Sequence, residues 1–141
     1  MITHGRALPV ILLVLILALT GLPQASQGKR RPSIVLRANP AVAFAPARIV
    51  VTAELSGGAN DYQDFYCAKV EWSWGDDTTS ESQDDCDPYE AGKTEIRRRY
   101  TNEHRFELPG HYDVRFTLKQ GKTSVGSGTV PVRIRDAEAR R

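Results

Sequence analysis

The chain is poor in the residues that most enzyme chemistry needs. Of 141 residues only 3 are histidine and 2 are cysteine, too few for a clustered metal or redox centre. No Cys-x-x-Cys pair, His-Glu-x-x-His helix, Gly-x-Ser-x-Gly elbow or glycine-rich phosphate loop occurs, so the common routes to zinc, a nucleophilic serine or a nucleotide are missing. Carboxylates are plentiful, but two can be found in any acidic loop, so they do not identify a glycosidase. A formal net charge of +2 is too small for a domain built around nucleic acid. The expectation is therefore a binding module, with no catalytic residue.

Long apolar runs are scarce too. The one present, Val10 to Leu19, follows Arg6 and precedes a small-residue stretch from Gly21 to Gly28, the layout of a secretory signal peptide over Met1 to Gly28. It falls short of the about 20 apolar residues that span a bilayer, and no cysteine follows it directly for lipid attachment. Cleavage near Gly28 would release a secreted or otherwise extracytoplasmic protein. Retention would make the same segment a membrane anchor. Removing residues 1–28 from 141 leaves 113, enough for one core over 29–135, with a charged tail over 136–141.

In that mature part eighteen basic residues face seventeen acidic ones, yet the charge is unevenly placed. Asn60 to Ala91 holds ten acids and one base, Lys69, whereas Gly92 to Arg141 holds twelve bases and six acids. A partner would meet a patch rather than an average.

What is present is β-pattern. Val70, Trp72 and Trp74 alternate with Glu71 and Ser73, which puts two tryptophans on one face of a strand and predicts that face buried. The same spacing would also suit a sugar-stacking platform, although beside Val70 a core role is favoured. The strand ends at Gly75-Asp76-Asp77, a turn. Further strands are expected at Ser33 to Arg37, Ile49 to Leu55, Thr94 to Tyr100, Tyr112 to Lys119 and Ser124 to Arg135, separated by glycine and proline. Short strands with such punctuation predict an all-β fold of two packed sheets. Asp77 to Lys93 is expected to be a long polar loop.

Three features are candidate sites. Cys67 and Cys86, an even pair in an exported chain, are expected to form a disulfide that pins the loop to the base of the tryptophan strand. The loop carboxylates, among them Asp76, Asp77, Asp84, Asp85 and Asp87, could ligate calcium through hard oxygens, or form a solvated acidic surface; no EF-hand spacing is present. Arg97, Arg98 and Arg99 could bind an anionic glycan or lipid head group as a basic stripe, or guard an edge strand against aggregation.

The tryptophan strand, taken with Tyr100 to Val114, resembles the PKD domain. Trp72-Ser73-Trp74-Gly75-Asp76-Asp77-Thr78 corresponds to that family's aromatic strand and Gly-Asp-Gly turn, departing at Asp77, where a second glycine is usual. His104-Arg105-Phe106 and Pro109-Gly110-His111-Tyr112-Asp113-Val114 match its His-x-aromatic step and Pro-Gly-x-Tyr-x-Val run. The resemblance, over roughly Ser33 to Arg135, implies an immunoglobulin-like β-sandwich. It also implies that His104 is a fold residue, hydrogen-bonded near the Gly75-Asp76 turn. For function it implies contact with a protein or polysaccharide at the cell envelope or outside the cell, with no cofactor unless calcium. A structural spacer anchored by its signal segment is the alternative.

Overall fold

A computed structural model describes residues 28–140. The expected signal segment, apart from Gly28, lies outside the described residues. Within them the protein is all-β, with eight strands and two short 3-10 turns. The strands are β1 (Ser33–Asn39), β2 (Val42–Phe44), β3 (Ala47–Ser56), β4 (Lys69–Ser73), β5 (Thr79–Ser82), β6 (Arg99–Phe106), β7 (Gly110–Gln120) and β8 (Thr123–Arg135). They form one sheet ordered β1-β3-β6 and another ordered β2-β8-β7-β4-β5. All neighbours are antiparallel except β2, which runs parallel to β8.

The alternation read from sequence decides which faces meet. Ile49, Val51, Ala53 and Leu55 of β3 point inward, as do Val114, Phe116 and Leu118 of β7, and all are buried. Val70, Trp72 and Trp74 join them, so the tryptophans belong to the core. Their rings stack at 5.8 Å and 9°, Phe116 meets Trp72 edge-on at 4.9 Å, and such pairs add about 0.5–1.5 kcal/mol each beyond their burial.

Where β8 faces β1, the sheets close by leaving side chains out. Gly126 and Gly128 lie on the inner face of β8, and a Cβ at either would stand within 3 Å of Ile34, Phe65 or Leu36 atoms. The absent side chains let Ile34 and Leu36 rest on the β8 backbone. At the other sheet edge, Gly75 takes φ +83° beneath Asp113, and a Cβ there would stand 3.0 Å from the Asp113 nitrogen. Asp77 also takes a left-handed conformation, at φ 66°, where the PKD pattern has its second glycine.

Two expectations are corrected. The strand placed at Thr94 to Tyr100 lies further on, at Arg99–Phe106, paired to β3 from Arg99 opposite Glu54 to Phe106 opposite Ala47. Residues 94–98 mimic a strand because Ile96 is buried, but the Ile96 amide donates to the Asn60 carbonyl in the neighbouring loop, outside either ladder. The polar loop after Asp77 also contains a strand, β5, paired to β4 with Ser80 opposite Trp72. Its inward Ser80 hydroxyl accepts the Trp74 indole N–H at 2.9 Å, which satisfies a buried donor. The charged tail holds one 3-10 turn at Ala137–Arg140.

Candidate functional site

One end of the molecule is built from the loops around the two cysteines. Cys67 and Cys86 form a disulfide, with Cα atoms 6.1 Å apart. The bond brings together two segments whose tyrosines flank it in sequence, Tyr66 beside Cys67 and Tyr89 three residues after Cys86. Their rings lie 5.8 Å apart at 54°. Each ring is fixed by its own hydroxyl: Tyr66 donates to the Asp87 carbonyl at 2.7 Å, and Tyr89 donates to the Asp61 carbonyl at 2.7 Å. Tyr62, edge-on to buried Phe65 at 5.0 Å, stands on the near side.

Between these rings runs an open cleft. One part, about 490 Å3, is lined by Gln63, Asp64, Tyr66, Cys67, Gln83, Tyr89 and Gln120. It adjoins a second part of about 450 Å3 that shares Gln63, Asp64 and Tyr89 and reaches Tyr62 and Lys29. Gln120 is used structurally, its amide donating to the Tyr66 carbonyl at 2.8 Å. The side chains of Gln63, Asp64 and Gln83 make no hydrogen bond among the described residues, which leaves two amides and a carboxylate free to meet a ligand. Lys29 at the rim is bound to Asp61, and that bond, helped by the Gly92 amide at 2.7 Å, holds the Asp61 carboxyl below the usual carboxylate range. With the lysine engaged by Asp61, the Asp64 carboxylate is the unpaired charge lining the cleft.

The other expected sites are distributed differently. Arg97, Arg98 and Arg99 do not form a stripe. Arg97 lies over the Tyr100 ring at 4.7 Å and donates to Asp84 at 3.3 Å. Arg98 donates to the Gly57 carbonyl at 2.6 Å and to Asn60 at 2.5 Å, tying the β3–β4 connection to the segment before β6. Arg99 pairs with Glu54 at 3.0 Å on the outer face of the smaller sheet. All three have partners within the chain, Arg97 and Arg99 while still exposed.

The acidic residues are dispersed as well. Asp84 faces Arg97, while Asp76 turns to the other end of the molecule, and among the described residues no three His, Cys, Asp or Glu side chains converge in a metal-ligating group. Asp76 accepts from His104 Nε2 at 2.7 Å and from the Thr78 hydroxyl at 2.5 Å. Partial burial, the largest single influence, pushes the Asp76 carboxyl up, but the Thr78 and His104 hydrogen bonds together push it further down, so it ends below its ordinary value. The His104 ring stacks on Trp74 at 4.6 Å and meets Phe106 edge-on at 4.8 Å, so the histidine bridges the turn and the core. After the Pro109-Gly110 step, Tyr112 folds its ring over Gly110 and donates its hydroxyl to the Leu108 carbonyl at 2.8 Å, next to buried Val114.

The tyrosine cleft was not foreseen from sequence, although the cysteine pairing contained the clue that Tyr66 and Tyr89 must be neighbours. Compared with known proteins, the chain matches no family model and no curated sequence.

Proposed function

We propose that the chain is an exported, non-catalytic interaction module of the PKD kind that contacts a polysaccharide or a protein at the cell envelope or outside the cell. The immunoglobulin-like reading is supported by the pairing of a three-strand with a five-strand sheet over one core, and by β1 and β2, which carry the first extended stretch from one sheet to the other. It is supported too by the Tyr112 hydroxyl reaching back to Leu108, the tyrosine corner of such folds. The His104 to Asp76 bond is the contact that the resemblance implies. Export is supported by the N-terminal apolar run and by the disulfide, which favours an oxidising compartment.

The observation that carries the function is the cleft. Its rings are immobilised by their own hydroxyls, so little side-chain entropy is lost when something binds. Free amide and carboxylate groups beside aromatic faces are what a sugar ring or an extended peptide needs, since both present apolar C–H surface edged by hydroxyls or amides. The test is to incubate the oxidised exported chain with a panel of insoluble polysaccharides and, separately, with envelope extract. Retention is expected in one arm, weakened at least roughly tenfold by the pair Gln63→Ala and Asp64→Asn, a loss of about 1.4 kcal/mol. Those side chains bond to nothing in the fold, so the melting temperature should stay put. Retention in neither arm, or retention indifferent to the pair, would sink the proposal and favour the anchored spacer.

A further inference from the structure

The outward face of the β2-β8-β7-β4-β5 sheet divides into two halves of different charge logic. Toward the disulfide end its charges cancel within the face, Lys69 pairing with Glu81 at 2.5 Å and Lys119 with Glu71. Toward the opposite end Arg115, Arg133 and Arg135 stand exposed on outward positions, and their side chains make no ion pair or hydrogen bond among the described residues. On the smaller sheet Arg48 pairs with Glu103, Arg99 with Glu54 and Arg105 with Glu107, and of its arginines only Arg37 of β1 has an unpaired side chain among the described residues. Asp113 is the single acid among the outward positions of β7.

The register fixes their layout. Arg133 lies opposite His111, and Arg115 lies opposite both Thr129 and Ser73. At about 3.3 Å per residue, Arg133 and Arg135 are roughly 7 Å apart along β8, and Arg115 is roughly 13 Å beyond Arg133 on the next strand. The row through Arg115 continues into Thr79 opposite Ser73, so hydroxyl donors surround this guanidinium with no acid in the row. The cations are therefore spread along the strands, with the single carboxylate of Asp113, opposite Pro131, in the row between Arg133 and Arg115. That arrangement suits a linear chain of regularly placed anions better than a single small anion, which a converging pocket would hold. Of the large apolar side chains, Val42 and, in the turn before β7, Leu108 are exposed at this end, two isolated residues and too little to insert into a bilayer.

We infer that this half-face binds a linear acidic polysaccharide, the three arginines bridging its sulfates or carboxylates and the flanking hydroxyls donating to them. The surface is independent of the tyrosine cleft.

The experiment is binding of the exported full chain to heparin as a sulfated probe and polygalacturonate as a carboxylated one, with dextran as the neutral control and phosphatidylglycerol vesicles as the lipid control. Binding to at least one acidic polymer and not to dextran is expected, weakening with salt. The triple variant Arg115→Ala, Arg133→Ala, Arg135→Ala should lose roughly thirtyfold in affinity, from three exposed ion pairs, while Lys122→Ala on the distant hairpin changes little. An unchanged melting temperature in the triple variant separates lost contact from lost fold. The cleft pair Gln63→Ala, Asp64→Asn should leave acidic-polymer binding intact, so either proposal can fail alone. No binding to either acidic polymer, equal binding by the triple variant, or binding to vesicles alone would overturn the inference.

Discussion

Replacing Gly126 by alanine sets two effects against each other, and the structure decides the sign. Gly126 does not take a left-handed conformation, so alanine fits the backbone, and reduced freedom of the unfolded chain alone would stabilise the protein by about 0.4–1 kcal/mol. Packing opposes this. A Cβ would stand 2.8 Å from Ile34 Cδ1 and 2.9 Å from two atoms of the Phe65 ring. Ile34 can rotate its terminal methyl away, but Phe65 is 0% exposed and packed against Tyr62, so its ring has nowhere to go. Overpacking of this kind costs about 1–3 kcal/mol. The net expectation is a loss of about 1–2 kcal/mol, read as a lower urea midpoint with unchanged slope, followed through the buried tryptophans. At Gly128 the one atom within 3.0 Å is Leu36 Cδ1 at 2.6 Å, the tip of a flexible chain, with Ile34 Cγ2 next at 3.2 Å, so Gly128→Ala should cost less. Adding Ile34→Val to Gly126→Ala removes one of the clashing atoms and should return part of the loss, a non-additivity expected only of touching residues. A Gly126→Ala protein as stable as the parent would refute the close-packed contact between β8 and β1.

Three more outcomes can be checked with the same melts. Reducing the disulfide, whose cysteines are 19 residues apart, should remove about 3 kcal/mol of loop-closure stabilisation and lower the melting temperature by roughly 10 °C; an unchanged melting point would show that the loops hold without it. Because Asp76 in the fold sits below its ordinary 3.8, its contribution is present above that pH and is lost as pH falls through the lower folded value. Asp76→Asn should therefore be less stable than the parent at pH 7, and the gap should close toward pH 2; a gap independent of pH would contradict the assignment. Millimolar calcium should leave the melting temperature where magnesium leaves it, since the loop carboxylates do not converge; a rise with calcium alone would restore the acidic loop as a metal site.

Where the fold was legible in advance, one physical signal was clean: two-residue alternation of large apolar side chains. It located β3, β4, β7 and β8 to within a few residues and put Trp72 and Trp74 inside. It misplaced β6 because two inward positions of that strand, Asn102 and His104, are polar, so the period is broken where the ladder runs and imitated where it does not, at Ile96. β5 was hidden for a related reason, since its residues Thr79 to Ser82 contain nothing apolar and are held by pairing and by the Trp74 indole. The arginine run misled because adjacent residues in sequence diverge once the chain leaves the sheet, whereas the unpaired arginines of β7 and β8 are distant in sequence and neighbours only through register.

The parallel pairing of β2 with β8 has a mechanical consequence. The described chain enters beside the disulfide at residue 28 and leaves at the opposite end after Arg135, so tension between these points runs along the strands. The β1–β3 ladder and the β2–β8 ladder, the latter extended by the Arg133 amide to the Ala41 carbonyl at 2.9 Å and the Ala45 amide to the Arg135 carbonyl at 2.8 Å, are then loaded in shear. Their hydrogen bonds must fail together rather than one after another. A single-molecule pull at residues 28 and 136 should meet more force than one that peels the β7–β8 hairpin open from its ends, and equal forces would show that the parallel pair bears no load. A fold so strung resists a load applied between residues 28 and 136 while the outward face of β7 and β8 and the loops around the disulfide keep their shape.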